Sequence, residues 1–528
     1  MNISAFFEHW SVVENPFRAE EARHDPVFTR LGLGAGACMH ADFEKILGDL
    51  SHPSTSIVFG EKGSGKTALR LQMARRIAEH NASCGATSAG AAGRPVFLIS
   101  YDDLNPTLDR FFTNVRLKNK TSDREGALRV LQRFTLADHM DAILHVGVTS
   151  LMDRLLADPP REPAATPEAI DAHKSLRHKL KRLDPAVKRD LTLLQLVYDR
   201  HGEPAGKRTA ILRRKLRGAA NWHPLLWRTL ALLGWLPLAG VVALYIWMDQ
   251  QRVPQNTWLI AAAIAGVIWL LLLAKHLLLD RWWMLRLASR LAKGVRSLPN
   301  STDELAEALN LVPRSARAVA DLPLDDSEDT RYEMFSRLDR ALTALGYGGA
   351  VVIVDRLDEP SLIAGDPDRM KAVAWPMFRG KFLQQHGFGI KLLLPIELRH
   401  ELFRESQAFF QEARLDKQNM IERLNWTGAA LYDLCDARLR ACLKPDAPAV
   451  GLADLFDPEV GIGGLVSALE QMHQPRDAFK LLYQCISEQC ANVVQDEARY
   501  TISKDTLDVV RKHQAERVQL VARGLRPA

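Results

Sequence analysis

A glycine-rich segment near the start of the chain has the residue types and spacing that hold phosphate. It reads Gly60-Glu61-Lys62-Gly63-Ser64-Gly65-Lys66-Thr67-Ala68, between an apolar run at 56–59 and a segment of helical periodicity at 68–77. Glycines let the backbone curl so that successive N–H groups point at phosphate oxygens, and a helix N-terminus adds its dipole. In this pattern Lys66 reaches the β- and γ-phosphates and Thr67 binds Mg²⁺. Residues 60–68 are therefore predicted to bind a nucleoside triphosphate.

Acids follow a second apolar run much later in the chain. Gly349–Val354 is rich in β-branched residues, which predicts a strand buried on both faces and ending at the edge where parallel sheets bind ligands. Asp355 is predicted to be a Mg²⁺ ligand, and Asp358 or Glu359 to orient or activate the attacking water. We therefore expect an ATPase with ATP and Mg²⁺ as cofactors, and either acid can be the base. Another core strand is predicted at 389–395, with Glu397 or Arg399 beyond it as candidate γ-phosphate sensors.

Two uncharged stretches separate these motifs. Residues 229–248 and 253–274 are each long enough to cross a hydrocarbon core of about 30 Å, and the link 249–252 is too short for anything but an antiparallel hairpin. Tryptophans lie near the predicted interfaces. Basic residues crowd both outer ends, which the positive-inside rule places in the cytoplasm. We predict spans at 226–248 and 256–276; the alternative is a pair of buried core helices.

Composition and charge bear on the cellular compartment and on the kind of partner. The six cysteines form no CxxC pair and have no histidine partners at zinc spacing, which predicts free thiols in a reducing compartment. A net charge of +6 is small for 528 residues and argues only weakly for a nucleic-acid partner. The N-terminal residues lack a basic region followed by an apolar one, so no cleaved signal peptide is expected. We expect a multi-pass protein of a bacterial inner membrane with most of the chain in the cytoplasm.

The glycine-rich motif, the VVIVDRLDE-type second motif and the hairpin between them resemble the KAP family of P-loop NTPases, a STAND-like branch related to AAA+ proteins. The resemblance covers about 50–110 and 335–485, and it departs from the family at Arg356, where a small residue or a second acid is usual. It implies a sensor role for Arg476, at the Pro-Arg start of a helix in a lid that closes over the nucleotide. The alternative is that Arg476 is a surface residue at a helix end.

The predicted fold is α/β: a P-loop NTPase parallel sheet flanked by helices, with an inserted transmembrane hairpin and a C-terminal helical lid. The predicted divisions are an N-terminal lead-in segment (1–50), the first half of the NTPase domain (51–123), a helical insertion (124–221), the hairpin (222–283), a helical linker (284–334), the second half of the NTPase domain (335–415) and the lid (416–528).

The expected function is a membrane-anchored, nucleotide-dependent switch. By resemblance, its role is in defence against phage or foreign DNA. The alternatives are an energy-coupling motor of an envelope or secretion complex and an initiator-like DNA-binding ATPase. Expected partners are further copies of the chain in a homo-oligomer, membrane lipid through the hairpin, and a protein or phage-derived trigger; a nucleic-acid partner stays open.

Overall fold

The chain folds as two compact units. The sheet unit combines Met1–Asn105 with Gly348–Ala528, and the helical unit is the continuous segment Pro106–Tyr347. The computed structural model describes residues 2–18, 21–31, 38–86, 93–116, 124–157, 178–200, 206–216, 229–247, 255–312, 321–492 and 499–522.

The elements are numbered in chain order. The first part of the sheet unit contains α1 (Ile3–His9), α2 (Pro26–Leu31), α3 (Phe43–Leu47), β1 (Ser56–Gly60), α4 (Lys66–Ala86) and β2 (Val96–Tyr101). The helical unit contains α5 (Asn105–Arg116, from the boundary), α6 (Arg124–Leu131), α7 (Leu136–Leu156), α8 (Pro185–Tyr198), α9 (Lys207–Lys215), α10 (Leu236–Trp247), α11 (Gln255–Ala274), α12 (Asp280–Gly294), α13 (Thr302–Leu311) and α14 (Glu328–Leu345). The second part of the sheet unit contains β3 (Gly349–Val354), α15 (Pro367–Ala374), β4 (Phe388–Pro395), α16 (Ile396–Leu402), α17 (Gln407–Glu412), β5 (Asn419–Ile421), α18 (Gly428–Ala441), α19 (Gly461–Glu470), α20 (Pro475–Asn492) and α21 (Lys504–Ala522).

In the described part of the chain, five parallel strands form one sheet in the order β2-β3-β4-β1-β5. This confirms the prediction of an α/β fold with a parallel sheet. β1, β3 and β4 are buried along their whole length, which explains sequences that are apolar except at Ser56 and Lys391. Because all five strands run the same way, the residues that follow β1, β3 and β4 meet at one carboxyl edge.

The N-terminal residues belong to a second core within the sheet unit. Phe6 and Phe7 of α1 pack in one apolar cluster with Leu431 of α18 and Leu482 of α20. The predicted lead-in segment 1–50 is therefore divided: its first helices join the C-terminal helices, and α3 packs in the core of the sheet. The predicted lid boundary at 416 also differs, because β5 lies beyond it and pairs with β1.

The helical unit is held together partly by a buried ion pair. Arg331 of α14 is fully buried, and its Nη2 lies 3.0 Å from Oδ2 of Asp141 in α7 and donates to the Gly294 carbonyl at 2.8 Å. The Tyr198 hydroxyl also donates to Asp141, at 2.9 Å. Buried charges persist only when paired in this way. The predicted linker 284–334 thus contains α12 and α13 as parts of a compact unit, which extends to Tyr347 rather than ending at 334.

Two helices of the described chain, Thr229–Trp247 and Asn256–Gly294, are long and apolar enough to cross a membrane. They pack against each other: the Trp269 indole donates to the Ala231 carbonyl at 3.1 Å, and the Tyr245 and Trp258 rings are 6.1 Å apart. The second helix is longer than the predicted span 256–276, because it continues through a π-helical turn at 275–279 into α12. The predicted connection 249–252 lies outside the described residues.

Candidate functional site

The glycine-rich loop joins β1 to α4 at the carboxyl edge of the sheet. Gly63 and Gly65 have φ angles of 101° and 97°, in a region that residues with a Cβ rarely adopt. A Cβ at Gly63 would also lie 2.8 Å from Cβ of Arg476, and one at Gly60 would lie 2.5 Å from the Ser64 hydroxyl. That hydroxyl is buried without a hydrogen-bond partner. The loop therefore has the curvature of an anion-binding nest. Its backbone conformation at Gly63 and Gly65 requires glycine.

Lys66 opens α4, and its amine points back along the loop. Its Nζ donates to the carbonyl oxygens of Gly60, at 2.7 Å, and Glu61, at 3.0 Å. Burial lowers the pKa of Lys66, and the charges of Asp358, Asp355 and Glu397 oppose that shift. The amine is therefore placed between the loop and the acids that follow β3, where one cation can neutralise phosphate oxygens.

Asp355 follows β3 directly and is 1% exposed. One carboxylate oxygen accepts from the Arg356 backbone N–H at 2.9 Å, and the other lies 3.4 Å from Nε of Arg70 but has no hydrogen-bond partner. Burial raises the pKa of Asp355 to about 6, against the attraction of Arg70 and Lys66. A buried carboxylate oxygen that lacks a partner fits the role of a ligand to Mg²⁺ or to its water.

Arg70 and Asp102 are site residues that the sequence analysis missed. The Arg70 guanidinium pairs with Asp102, which follows β2, and Asp102 also accepts from Arg23 at 2.5 Å. Arg70 therefore connects the acids behind two neighbouring strands. Its position, four residues after Lys66 on the same helix, is the signal that could have identified it, because such residues share a helix face.

The two candidate bases have different surroundings. Glu359 pairs with the Arg356 guanidinium, which also lies 3.7 Å from a carboxylate oxygen of Glu21. Arg356 has a φ angle of 62°, so its backbone is left-handed despite the side chain. Asp358 also lines the cavity and is the leading acidic influence on Lys66. Arg356, the residue that departs from the family pattern, therefore pairs with Glu359. Asp358 is the first acid whose charge opposes the lowering of the Lys66 pKa.

Two residues from the C-terminal helical region contact the loop. The Trp426 indole donates to the Ser64 carbonyl at 2.9 Å. Arg476 lies in the first turn of α20, as the Pro-Arg pattern predicts, and its side chain packs against Gly63. The loop is therefore held by segments far from it in sequence.

A cavity of about 300 Å³ extends from the loop into the sheet unit. Its polar and glycine lining includes Lys62, Gly63, Gly65, Lys66, Thr67, Asp355, Arg356, Asp358, Glu359 and Arg476. Its apolar lining includes Phe28, Leu31, Cys38, Ala68, Leu434 and Phe479. This volume and mixed lining suit a small molecule with both anionic and apolar groups. The contribution of residues 21–40 was not predicted.

Other predicted site residues lie at the margin. Glu61 pairs with Arg423 at 2.5 Å rather than facing the cavity. Arg399, a candidate sensor, pairs with Glu422 at 2.6 Å and does not line the cavity either.

Comparisons with known proteins bring no assignment for this site. No family model matches the chain, and no match is found among curated proteins or solved structures. The function is therefore inferred from the residues of the site alone.

Proposed function

We propose that this chain is a P-loop ATPase anchored in a membrane by its hairpin and that it acts as a nucleotide-dependent switch. The observation that carries the proposal is the meeting of Lys66, Asp355 and Asp358 beside a loop with left-handed Gly63 and Gly65. A cation, an acid with an unpartnered oxygen and a curled glycine backbone are the three parts that a triphosphate–Mg²⁺ site needs. Fold resemblance alone would not establish this activity.

Each residue has a distinct role in the proposed reaction. Bound ATP supplies the phosphoanhydride bond that is broken, and Mg²⁺ neutralises charge on its phosphates. The N–H groups of the loop and Lys66 would bind phosphate oxygens, and Thr67 and Asp355 would hold Mg²⁺. Arg476 adds positive charge from the first turn of α20, and closure of the helical region around it would exclude water.

Asp358 is the proposed base that orients and deprotonates the attacking water. Asp358 lines the same cavity as Lys66, and its charge opposes the lowering of the Lys66 pKa by burial, which supports this role. Glu359 is held in an ion pair by Arg356, and its carboxylate would have to leave that pair to contact an attacking water. Arg356 and Glu359 then serve to position the segment that carries Asp358.

Membrane anchoring is the second part of the proposal. Trp247, at the end of the first long helix, is 85% exposed, and Ile246 is 77% exposed. Such apolar surface is stable in lipid and unstable in water. A bacterial inner membrane with both outer ends of the hairpin in the cytoplasm remains the proposed location, and several hairpins would have to associate for any direct effect on the bilayer.

The activity is tested by Lys66→Ala in the purified full-length protein. We expect loss of ATP binding and hydrolysis, because the Lys66 amine is the central cation of the proposed phosphate site. Retention of the variant in carbonate-washed membranes should be unchanged. The matched control is Lys504→Ala, which removes an exposed lysine of α21 that does not line the cavity, and it should keep most of the activity. Wild-type turnover by Lys66→Ala would refute the ATPase assignment.

The cellular role is proposed as a conditional response, with phage or foreign DNA as the trigger. Phage plating on cells with the native chain, with Lys66→Ala and with a hairpin deletion tests it. Reduced plating only with the native chain is expected. Equal plating across a broad phage panel, together with steady ATP turnover, would favour an envelope motor instead.

A further inference from the structure

Two basic blocks flank the long helices, at 207–217 and 275–296 of the sequence, and they are used differently. In the block before the hairpin, Arg208 pairs with Asp199 at 2.8 Å and with Asp153 at 2.9 Å. Lys215 of the same block donates to the Leu155 carbonyl at 3.0 Å. Much of this block therefore stabilises the helical unit and leaves less charge for a membrane surface than its sequence implies.

In the block after the hairpin, Arg296 pairs with Asp138 at 2.8 Å, but other basic residues stay on the surface. Trp282, Arg286, Arg290 and Lys293 are all exposed, and their spacing of four, four and three residues puts them on one face of α12. We call this face the α12 stripe. The opposite face packs into the helical unit through Leu287 and Leu291, which are buried. Among the described residues, none of the three basic side chains forms an ion pair.

Trp282 and Arg286 are organised as a pair. The Arg286 guanidinium lies over the Trp282 ring, 5.1 Å from its centroid. Tryptophan prefers the headgroup level of a bilayer, and a guanidinium binds phosphate oxygens with two parallel hydrogen bonds. The leucines at 277–279, each more than half exposed, continue the apolar surface from α11 up to Trp282. The pair is thus placed where an apolar surface becomes a basic one.

We propose that the α12 stripe binds the phosphate of anionic phospholipid headgroups. The proposal rests on the membrane placement of the hairpin proposed above, and charge complementarity selects the lipid: α12 contains four basic residues and one acid, Asp280. At 1.5 Å per residue, Arg286 lies about 6 Å beyond Trp282 along the helix and Lys293 about 16 Å beyond it. Surface potential decays over about 8 Å at physiological salt. Arg286 therefore contacts headgroups, whereas Lys293 feels a much weaker potential.

The test uses the full-length protein in a neutral detergent, titrated with dioctanoyl phosphatidylglycerol or dioctanoyl phosphatidylcholine, with the unfolding temperature as readout. We expect phosphatidylglycerol to bind the wild type at least about tenfold more tightly, and more weakly at high salt. Arg286→Gln should weaken that binding about fivefold, and Lys293→Gln less than twofold. Free glycerol phosphate should have no effect, because it cannot contact the leucines and Trp282.

The control is Lys504→Gln with Lys512→Gln, which removes two exposed charges from α21 and should preserve the lipid preference. Equal binding of the two lipids by the wild type would overturn the proposal without using any variant. So would equal losses in Arg286→Gln and the control.

Alkaline carbonate extraction of membranes separates this failure from failure of the anchor. A wild-type chain that stays in the membrane but shows no lipid preference refutes only the α12 stripe. A chain released to the supernatant refutes the anchor and the stripe together. ATP turnover, measured in parallel, tests the ATPase assignment independently.

Discussion

Lys391 offers a sharp test of the packing around the sheet, because it is a fully buried lysine in the central strand β4. Its amine donates to the Ser54 carbonyl at 2.6 Å, and burial lowers its pKa from 10.5 to about 7. Between these two pH values the unfolded chain binds a proton that the folded chain does not. The contribution of Lys391 to the free energy of unfolding therefore rises with pH from about 7 to about 10.5 and is most unfavourable below pH 7.

The size of the effect follows from the pKa difference. The difference between a pKa of 10.5 in the unfolded chain and about 7 in the folded chain corresponds to about 5 kcal/mol against the protonated amine. Lys391→Met removes that cost but also removes the hydrogen bond to Ser54, a loss of about 1–2 kcal/mol. We expect the variant to be more stable than the wild type by about 3 kcal/mol at pH 6.5. Near pH 10 the neutral lysine has little penalty, so the gain should vanish or change sign.

Thermal unfolding of the full-length protein in detergent measures this difference. At roughly 2 °C per kcal/mol for a unit of this size, the unfolding temperature of Lys391→Met should rise by about 6 °C at pH 6.5. The exposed Lys504→Met is the control and should change little at either pH. The reasoning would be refuted if the difference in unfolding temperature between Lys391→Met and the wild type were the same at pH 6.5 and pH 10. It would also be refuted if the variant were less stable than the wild type at pH 6.5.

Three further predictions concern catalysis and topology. Asp358→Asn should bind ATP but lose at least about 100-fold in turnover, as expected for a general base, whereas Glu359→Gln should lose less than about tenfold; the reverse order, in a steady-state phosphate-release assay, would make Glu359 the base. A cysteine at Gln251 should react with an impermeant maleimide from the periplasmic side of intact cells, and one at Ser467 should not; labelling of Ser467 alone would invert the topology. Deletion of 222–283 with a short linker should give a soluble protein that keeps its ATPase activity, measured after size-exclusion chromatography, because the ends of a hairpin lie close together and a substitute link costs little closure entropy. Aggregation of that protein would argue against an independent hairpin.

The strands that line the site could be predicted because their sequences carry a local signal. β3 and β4 are buried along their whole length, so burial demands apolar residues at nearly every position. β5 gives no such signal, because it has three residues and one of them, Asn419, is exposed. Its place beside β1 depends on tertiary pairing and not on its own composition.

Contacts over long sequence distances account for the missed parts of the site. The bond from Trp426 to the Ser64 carbonyl joins residues 362 positions apart, and a tryptophan at helical spacing gives no indication of it. The packing of Phe6 with C-terminal helices is equally remote. Arg356 could be recognised in the sequence as a departure from the family pattern. Its pairing with Glu359 accompanies a left-handed backbone, which an arginine does not suggest.

The pairing of β2 with β3 has a consequence for the order of folding during synthesis. Val96 lies opposite Gly349, yet the whole helical unit, Pro106–Tyr347, is synthesised between these two residues. Pairing two strands that are so far apart in sequence is slow. Until β3 is synthesised and pairs with it, the free edge of β2 can associate with other chains. If the helical unit folds and inserts first, it shortens the flexible path between the two strands, so the sheet closes faster. Maturation of the candidate site would then depend on earlier folding of the helical unit, and a chain stalled at that step would expose β1 and β2 to aggregation or proteolysis.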